Sequence, residues 1–520
     1  MRLFPPKKDL FLLALAGIYL LGGIIQATLL LNWDVSWLLH ATRRLLAGGT
    51  YAMNFPDLNP PLIMYLYIPP VLLNKLTHLN IISSLRLYIF FLSTLSLYSC
   101  HILTHKIFSS DILSKIVVLT LAVLFLVFPF YEFGQREHIM LIFTMPYLLL
   151  AACRLQGSNV RVSHAILIGI GAGLGFGLKP HFLVTFALVE LYYIYCQKNL
   201  FAWLRTETLT AITIIGIYTV SIFIFQKDYL SILVPIAIRN YYSGFNTEWT
   251  LLLFYPVVIF CEFVMVFFFM QYHQNPYKKL STILFLALIG YLFCYIVQRN
   301  LWYYHLIPAF AIAILLFVLQ FALLIAHCRT NKHDLFILSG AGAIIVAFIL
   351  GYAGFVYRIS LIYKEQTSSL ISYLYNNMRH QSVYFFATTT TYEFPAIDYS
   401  QALPSSKYAF LGWIPGLLKR DKLTPDNTQL IQDRDFYLNS VAEELNTNKP
   451  RFVLIDDMKY KGHLEGLQFD YLPYFLKNKN FQAAWKEYHY VNTIQDTLYK
   501  FNIYERNNLS LDNQQSINSL

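Results

Sequence analysis

Charge is the scarcest thing in this chain. Only 13% of its 520 residues are Asp, Glu, Lys or Arg, about half of what a soluble globular domain carries. With 57% hydrophobic residues, that scarcity excludes a water-soluble enzyme and gives a polytopic membrane protein. Cysteine is scarce as well. Cys100, Cys153, Cys196, Cys261, Cys294 and Cys328 all lie in or beside apolar runs, with no CxxC pair. No disulfide framework or zinc site is legible in them, and small apolar packing is their expected role. A basic tail is also missing. The formal charge of +10 is spread through loops, so no nucleic-acid partner is expected, and positive-inside topology accounts for the excess. The first apolar run follows Arg2, Lys7 and Lys8 and has no small-x-small cleavage site. It is expected to remain as a first span.

What the chain has in abundance is apolar runs. A helix crosses the hydrocarbon core in about 20 residues, and about eleven runs qualify: 9–31, 85–107, 113–131, 138–154, 164–180, 181–197, 206–226, 249–271, 280–297, 304–326 and 335–357. The run 60–76 is shorter and holds Pro60, Pro61, Pro69 and Pro70. It reads as a helix lying at the interface, inside a first external loop at 32–84. With the first span crossing outward, His105, Lys106, Lys115, Arg154, Arg161, Lys198, Arg205, Lys278, Lys279, Arg329 and Lys332 fall on the cytoplasmic side. The Lys179-Pro180-His181 junction is the weakest boundary, readable as a kink in a broken helix.

From 358 the composition turns polar. Strand-like segments at 382–387, 451–456 and 488–493 alternate with helical patterns at 432–445 and 471–477. The expected architecture is an all-α polytopic membrane domain at 1–357 followed by a small extracytoplasmic α/β domain at 358–506. The Asn/Ser/Gln-rich tail at 507–520 is expected to be disordered. Gly169 to Gly177 carries GxGxxG-like spacing, but it lies inside a span with no strand before it. Close helix packing is the expected reason.

Against this background the non-cytoplasmic junctions hold an odd set of ionisable residues: Asp34, Arg43, Arg44, Asp57, Arg86, Arg136, Glu137, His138, Lys179, His181, Arg239, Arg299 and His305. Such groups beside a bilayer are costly and poorly explained by topology. Asp34 follows the first span, between Trp33 and Trp37 and ahead of a helix expected at 38–47; it suits a general base for an acceptor hydroxyl, or an interface anchor. Phe133-Gly134-Gln135-Arg136-Glu137-His138 opens the fourth span. There Glu137 suits acceptor positioning, and Arg136 and His138 suit a phosphate. Lys179 and the run Gln298 to His305, with Arg299 and Tyr304, put further cations beside aromatic rings, where Arg matches phosphate oxygens bidentately and Lys acts as a point charge. The loop 226–248, carrying Arg239, is long enough for a flap. Asp456-Asp457 after a strand reads as a strand-end turn in preference to a metal site.

At these residues the chain resembles the GT-C fold integral-membrane glycosyltransferases, in the branch of the bacterial lipid A aminoarabinose transferases and the protein mannosyltransferases. The stretches that carry the resemblance are Asp34 to Tyr51, Asn59-Pro60-Pro61, Arg86, Glu137, Gly173 to Lys179, and Gln298 to Pro308. In this chain Val35 follows Asp34, and Leu58-Asn59-Pro60 stands where the family has Glu-Lys-Pro. A phosphate-binding Lys is therefore missing. Arg136, His138 or Lys179 is the candidate replacement, and Asp57 that for the lost carboxylate.

The resemblance implies an inverting transfer of a sugar from a polyprenyl-phosphate donor, at an extracytoplasmic site in the plasma (bacterial inner) membrane. Asp34 and Glu137 are then the catalytic pair, meeting in one pocket. Arg136, His138, Lys179, Arg299 and His305 hold the donor phosphate. Arg43, Asp57, Asn59, Arg86, Arg239, Gln298 and Tyr304 serve the acceptor or support the site. The implied acceptor is an envelope glycan, lipopolysaccharide or protein, and a monomer is expected. Metal dependence stays open, because some members use a divalent cation; Asp34 and Glu137 would be its ligands. A lipid-linked sugar transporter or flippase would instead show polar span interiors and an inverted repeat. A glycan polymerase or ligase would carry its large external loop in mid-sequence, and a scaffold would need no such cluster.

Overall fold

The computed structural model describes residues 7–241, 244–245, 247–328 and 332–507. Arg2, Tyr242, Arg329 and the tail from 508 lie outside the described residues; Asn507 still donates its N–H to the Glu487 carbonyl. The chain forms two units. One comprises the segment ending at Leu31 with Asn59–Phe225 and Thr247–Leu361; the other comprises Asn32–Leu58, Gln226–Asn246 and the chain from Ile362.

The first unit is helical. Seven helices among the described residues are long and apolar enough to cross a membrane: Leu10–Thr28, Ile81–Ile107, Arg136–Leu155, Thr206–Phe225, Lys278–Gln298, Tyr303–His327 and Gly342–Met378. Shorter apolar helices are Leu62–Thr77, Val162–Gly177 and Pro256–Gln271. Arg136–Leu155 is the most enclosed of the seven, 89% buried against 6–17% for the first, fourth and last. Whatever stands at its ends therefore stands inside the bundle.

Several expected boundaries shift for identifiable reasons. The segment expected as one span at 249–271 is two helices, Trp249–Leu253 and Pro256–Gln271. Pro256 lacks an N–H, and Tyr255 before it is extended (φ −66°, ψ 135°), as a pre-proline residue prefers. The fourth span starts at Arg136, not 138, because Gln135 leaves the helical region (φ −59°, ψ 158°) one residue earlier. The last helix does not stop near 357 but runs from Lys332 to Met378.

The glycines of 169–177 pack helices. A Cβ on Gly173 would stand 2.7 Å from Ile214 Cβ and 2.8 Å from the Ala211 carbonyl, and one on Gly175 2.7 Å from Thr144 Cγ2. Helix Val162–Gly177 thus touches helices Thr206–Phe225 and Arg136–Leu155 with almost no side chain between them. Gly173→Val is expected to lower stability by about 1–3 kcal/mol through overpacking. Thermal unfolding in detergent checks this, and an unchanged midpoint would contradict it.

The second unit holds a five-stranded sheet: β1 (Ser382–Phe386), β2 (Leu403–Pro404), β3 (Phe452–Asp456), β4 (Tyr488–Gln495) and β5 (Lys500–Arg506). Their order is β2-β1-β3-β5-β4. β1 is parallel to β2 and β3, while β5 runs antiparallel to β3 and β4. The three expected strands are β1, β3 and β4; β2 and β5 are additional. Leu370, Leu374 and Met378 pack with Val383, Phe385, Leu454, Phe501 and Ile503 as the core. Helix Thr428–Asn448 extends the expected 432–445 at both ends, with the Asn427 side chain capping its start.

The helix expected at 38–47 is Trp33–Leu46. The Asn32 carboxamide oxygen accepts the N–H groups of Asp34 (2.9 Å) and Val35 (3.4 Å). Asp34 therefore lies in the first helical turn, where the helix dipole favours a carboxylate.

Candidate functional site

In the first unit polar side chains converge from five chain segments, each at a helix end. Glu137 opens helix Arg136–Leu155 and is fully buried. Its Oε1 accepts from Lys179 Nζ at 2.5 Å and lies 3.8 Å from His305 Nε2. Its Oε2 has no hydrogen-bond partner among the described residues. Lys179 is 7% exposed and sits where helix Val162–Gly177 breaks before Pro180. It is extended there (φ −142°, ψ 139°), as Pro180 requires, and the junction is a true break that throws the ammonium toward Glu137.

Lys179 also donates to Gln298 Oε1 at 2.9 Å. Gln298 is the last residue of helix Lys278–Gln298, and its amide is oriented by Nε2 donating to the Cys294 carbonyl at 3.0 Å. Arg136, 3% exposed, donates to Asn59 Oδ1 just ahead of helix Leu62–Thr77. The Tyr304 ring completes the group, with the Arg136 guanidinium 5.5 Å and Lys179 Nζ 5.7 Å from its centroid, a cation–π distance for both. His305 packs edge-on against it at 4.3 Å. Tyr67 ties the frame together by donating to the Gly134 carbonyl at 2.6 Å. Seven of the expected residues thus meet: Asn59, Arg136, Glu137, Lys179, Gln298, Tyr304 and His305.

Others are engaged differently. His138 was expected to hold phosphate, yet both its nitrogens are committed: Nδ1 accepts the Gly134 N–H at 3.0 Å and Nε2 donates to the Phe125 carbonyl at 2.8 Å. A neutral ring saturated by backbone braces the loop and offers phosphate nothing. Arg299 is the left-handed C-cap of its helix (φ 48°). Its guanidinium lies 4.5 Å from the Trp249 ring centroid and donates to the Thr247 carbonyl at 3.3 Å. Arg86 donates to the Leu29 carbonyl at 2.8 Å, just past helix Lys7–Thr28, where a cation suits the dipole.

A second buried ionic group escaped the sequence reading. Glu190 and Glu207 pair with Arg205, and Glu207 with Arg154 at 3.3 Å. Tyr147 donates to Glu190. Arg154 and Glu137 are on one helix, about 26 Å apart along it, so this group closes the other end of the bundle. Its carboxylates were hidden inside apolar runs; the nearby Arg154 and Arg205 were the available signal.

In the second unit Asp57 Oδ2 accepts from the Trp37 indole N–H at 2.5 Å. Arg43 contributes positive charge near Asp398. Arg239 was expected to serve the acceptor, within a flap. Instead its guanidinium grips Asp433 bidentately, at 2.8 and 3.0 Å, and Arg420 and Asn240 bind the same carboxylate. Burial acts upward on the Asp433 carboxyl, but these hydrogen bonds outweigh it and hold it at about 2. Lys419 adds a bond to the Gly244 carbonyl at 2.9 Å. Arg239, Asn240 and Gly244 are thus tied to Asp433 and Lys419. Asp456 Oδ1 accepts the Met458 N–H at 2.9 Å, and Asp457 pairs with Lys500: a strand-end turn.

No three His, Cys, Asp or Glu side chains converge as a metal set among the described residues. Glu137 already faces the Lys179 ammonium, so a divalent ion there would have to displace or repel it. The first-unit group suits a phosphate better than a metal: two fixed cations, two carboxamides and an imidazole gather with one carboxylate.

No protein-family model and no curated protein matches the chain. Among solved structures, ArnT from Cupriavidus metallidurans in the apo state aligns at TM-score 0.58 and 11% identity, covering 96% of this chain and 98% of that one. The same protein bound to undecaprenyl phosphate aligns at 0.57 and 9% identity, with the same coverage. The oligosaccharyltransferase AglB from Archaeoglobus fulgidus, in complex with an inhibitory peptide and a dolichol-phosphate, aligns at 0.48, 12% identity, over 98% of this chain and 75% of its own. Alignment with ArnT over nearly the whole of both chains shows a common fold.

Proposed function

We propose, for a chain that shares its fold with ArnT, an inverting glycosyltransferase that takes its sugar from a polyprenyl phosphate. The observation that carries this reading is the meeting of buried Glu137, Lys179, Arg136 and His305 with half-buried Gln298. Such preorganised charge suits an ester whose leaving group is a phosphate.

The step runs as follows. The acceptor hydroxyl gives its proton to Asp34. The acceptor oxygen forms its bond to the anomeric carbon while the carbon–oxygen bond to phosphate breaks, with inversion, and the phosphate departs with the electron pair. Arg136 and Lys179, with the His305 imidazole beside them in space, neutralise the departing phosphate. Glu137 holds Lys179 in place and stabilises positive charge at the anomeric centre. The products are a glycosylated acceptor and free polyprenyl phosphate.

The topology that goes with this reading has about eleven spans, in which the helices Asp111–Leu126, Val162–Gly177, Leu183–Gln197 and Pro256–Gln271 cross together with the seven longer ones. The N-terminus is cytoplasmic, helix Leu62–Thr77 lies at the interface, and residues 358–506 are an extracytoplasmic domain on the periplasmic face of the inner membrane. The acceptor is an envelope glycan or lipopolysaccharide.

The test uses purified protein in liposomes with a panel of undecaprenyl-phosphate monosaccharides and an envelope glycolipid extract. The readout is acceptor-dependent release of undecaprenyl phosphate. Asp34→Asn is expected to slow release by about 10²–10⁴-fold, the usual worth of a general base. Undiminished release would remove Asp34 from the step. Movement of intact lipid-linked sugar across the bilayer, with none released, would make the protein a transporter.

A further inference from the structure

We propose that Asp398 is a positioning residue: it holds, from the C-terminal region, the helix that carries Asp34. The inference rests on the transferase reading for the role of Asp34, but the geometry is independent of it. Ser36, His40 and Arg44 recur every four residues on helix Trp33–Leu46, so they form one stripe. All three dock on the segment 394–406. The Asp398 carboxylate accepts from Ser36 Oγ and from His40 Nε2, the latter at 3.0 Å. Arg44 Nη2 donates to the Ser406 carbonyl at 2.8 Å and the Pro404 carbonyl at 3.3 Å. The rings of Trp37 and His40 pack on Phe394, at 5.6 and 5.3 Å.

The side chains of His40 and Asp398 are only 10% and 4% exposed. A buried carboxylate with two donors from one helix face is a strong and directional clamp. Asp34 precedes Ser36 by two residues, about 200° around the helix. From His40 and Arg44 the separation is about 120° and 80°, so the clamp grips one stripe of the helix and Asp34 stands to the side of it. Both the register of the helix and its rotation, and so the direction in which Asp34 points, are set by Asp398.

Asp398→Asn removes the charge and leaves the shape. In the undecaprenyl phosphate release assay, with the monosaccharide that supports the wild-type reaction, kcat is expected to fall about 10–100-fold, the scale of a misplacement near 1 Å. KM for the lipid donor is expected to stay unchanged. Asp398→Glu should recover part of the rate. In an Asp34→Asn background, Asp398→Asn should cost nothing further, because the two act as one unit. Hydrogen exchange needs no substrate: the amides of 33–46 should exchange faster in Asp398→Asn, while those of β1 and β3 keep their protection. If Asp398→Asn does not fold, Ser36→Ala with His40→Phe removes both side-chain donors from the same carboxylate, keeps a ring against Phe394, and is read in the same way.

A slow Asp34→Asn beside a fully active Asp398→Asn with unchanged exchange at 33–46 overturns this inference and leaves the transferase reading standing. A fully active Asp34→Asn sinks the assigned base instead, and exchange at 33–46 still decides whether Asp398 holds the helix. Additive losses in the double variant reduce Asp398 to a general stabiliser.

Discussion

Glu137→Gln is expected to reduce kcat for sugar transfer by about 10²–10³-fold, the cost of removing one preorganised electrostatic group. Two effects would be superposed in that variant. Glu137 is fully buried and bound to Lys179, so the substitution also takes the carboxylate away from a buried ammonium, while Gln298 and the Tyr304 ring stay beside it. Breaking a buried pair from one side costs about 3–5 kcal/mol, and the thermal midpoint should fall along with activity. Lys179→Met separates the two. The double variant Glu137→Gln/Lys179→Met removes both charges, so stability should return toward wild type. Activity should not return, because the cation facing the phosphate is then gone as well. Thermal unfolding and undecaprenyl phosphate release, measured on the same three preparations, check the prediction. A double variant that regains the wild-type rate would show that the pair is only a structural bridge.

The parts of this site that were legible in the sequence share a physical cause. In a chain so poor in charge, an ionisable group at the end of an apolar run has few reasons to be there. Glu137, Lys179, Arg136 and His305 all stand at such ends, and the helices bring them together. Gln298 and Asn59 were readable only as their neighbours in sequence. What escaped depended on partners that spacing does not encode. Nothing in Arg136-Glu137-His138 says that the His138 ring will turn back to the Gly134 N–H and the Phe125 carbonyl. Arg239 looked free for a ligand because Asp433 is 194 residues away. The docking of Ser36 and His40 on Asp398 spans 362 and 358 residues and leaves no local trace. β5 did carry a signal, since Phe501 and Ile503 alternate with polar residues and point into the core. Its polar half, with Lys500, Glu505 and Arg506, masked the period.

The second unit is expected to be most stable at mildly acidic pH and to weaken between about pH 4 and pH 7. Burial pushes the Glu444 carboxyl up from 4.5 to about 7 and that of Asp456 from 3.8 to about 6, and it raises Glu393 as well, against the opposing pull of Arg44. A folded-state pKa above the unfolded value means that the folded chain binds the extra proton. The resulting stabilisation is complete below the unfolded values and is lost as pH rises through about 6 and 7. For Glu444 alone the cost of the charged form is on the order of 3 kcal/mol. Asp433 and Asp398 act in the opposite sense. Their carboxyls are held low by Arg239, Arg420, His40 and Ser36 despite burial, so their contribution is present above about pH 4 and is lost as pH falls, for Asp433 toward 2. The two sets leave a maximum near pH 4–5. Glu444→Gln should raise the midpoint at which the second unit unfolds by about 5–10 °C at pH 8 and leave it nearly unchanged at pH 5. The amide oxygen still accepts the Lys407 N–H, and the Tyr384 hydroxyl can reverse and accept from the amide nitrogen. A midpoint that rises equally at both pH values would show that Glu444 titrates alike in the folded and unfolded chain and that its burial carries no proton linkage.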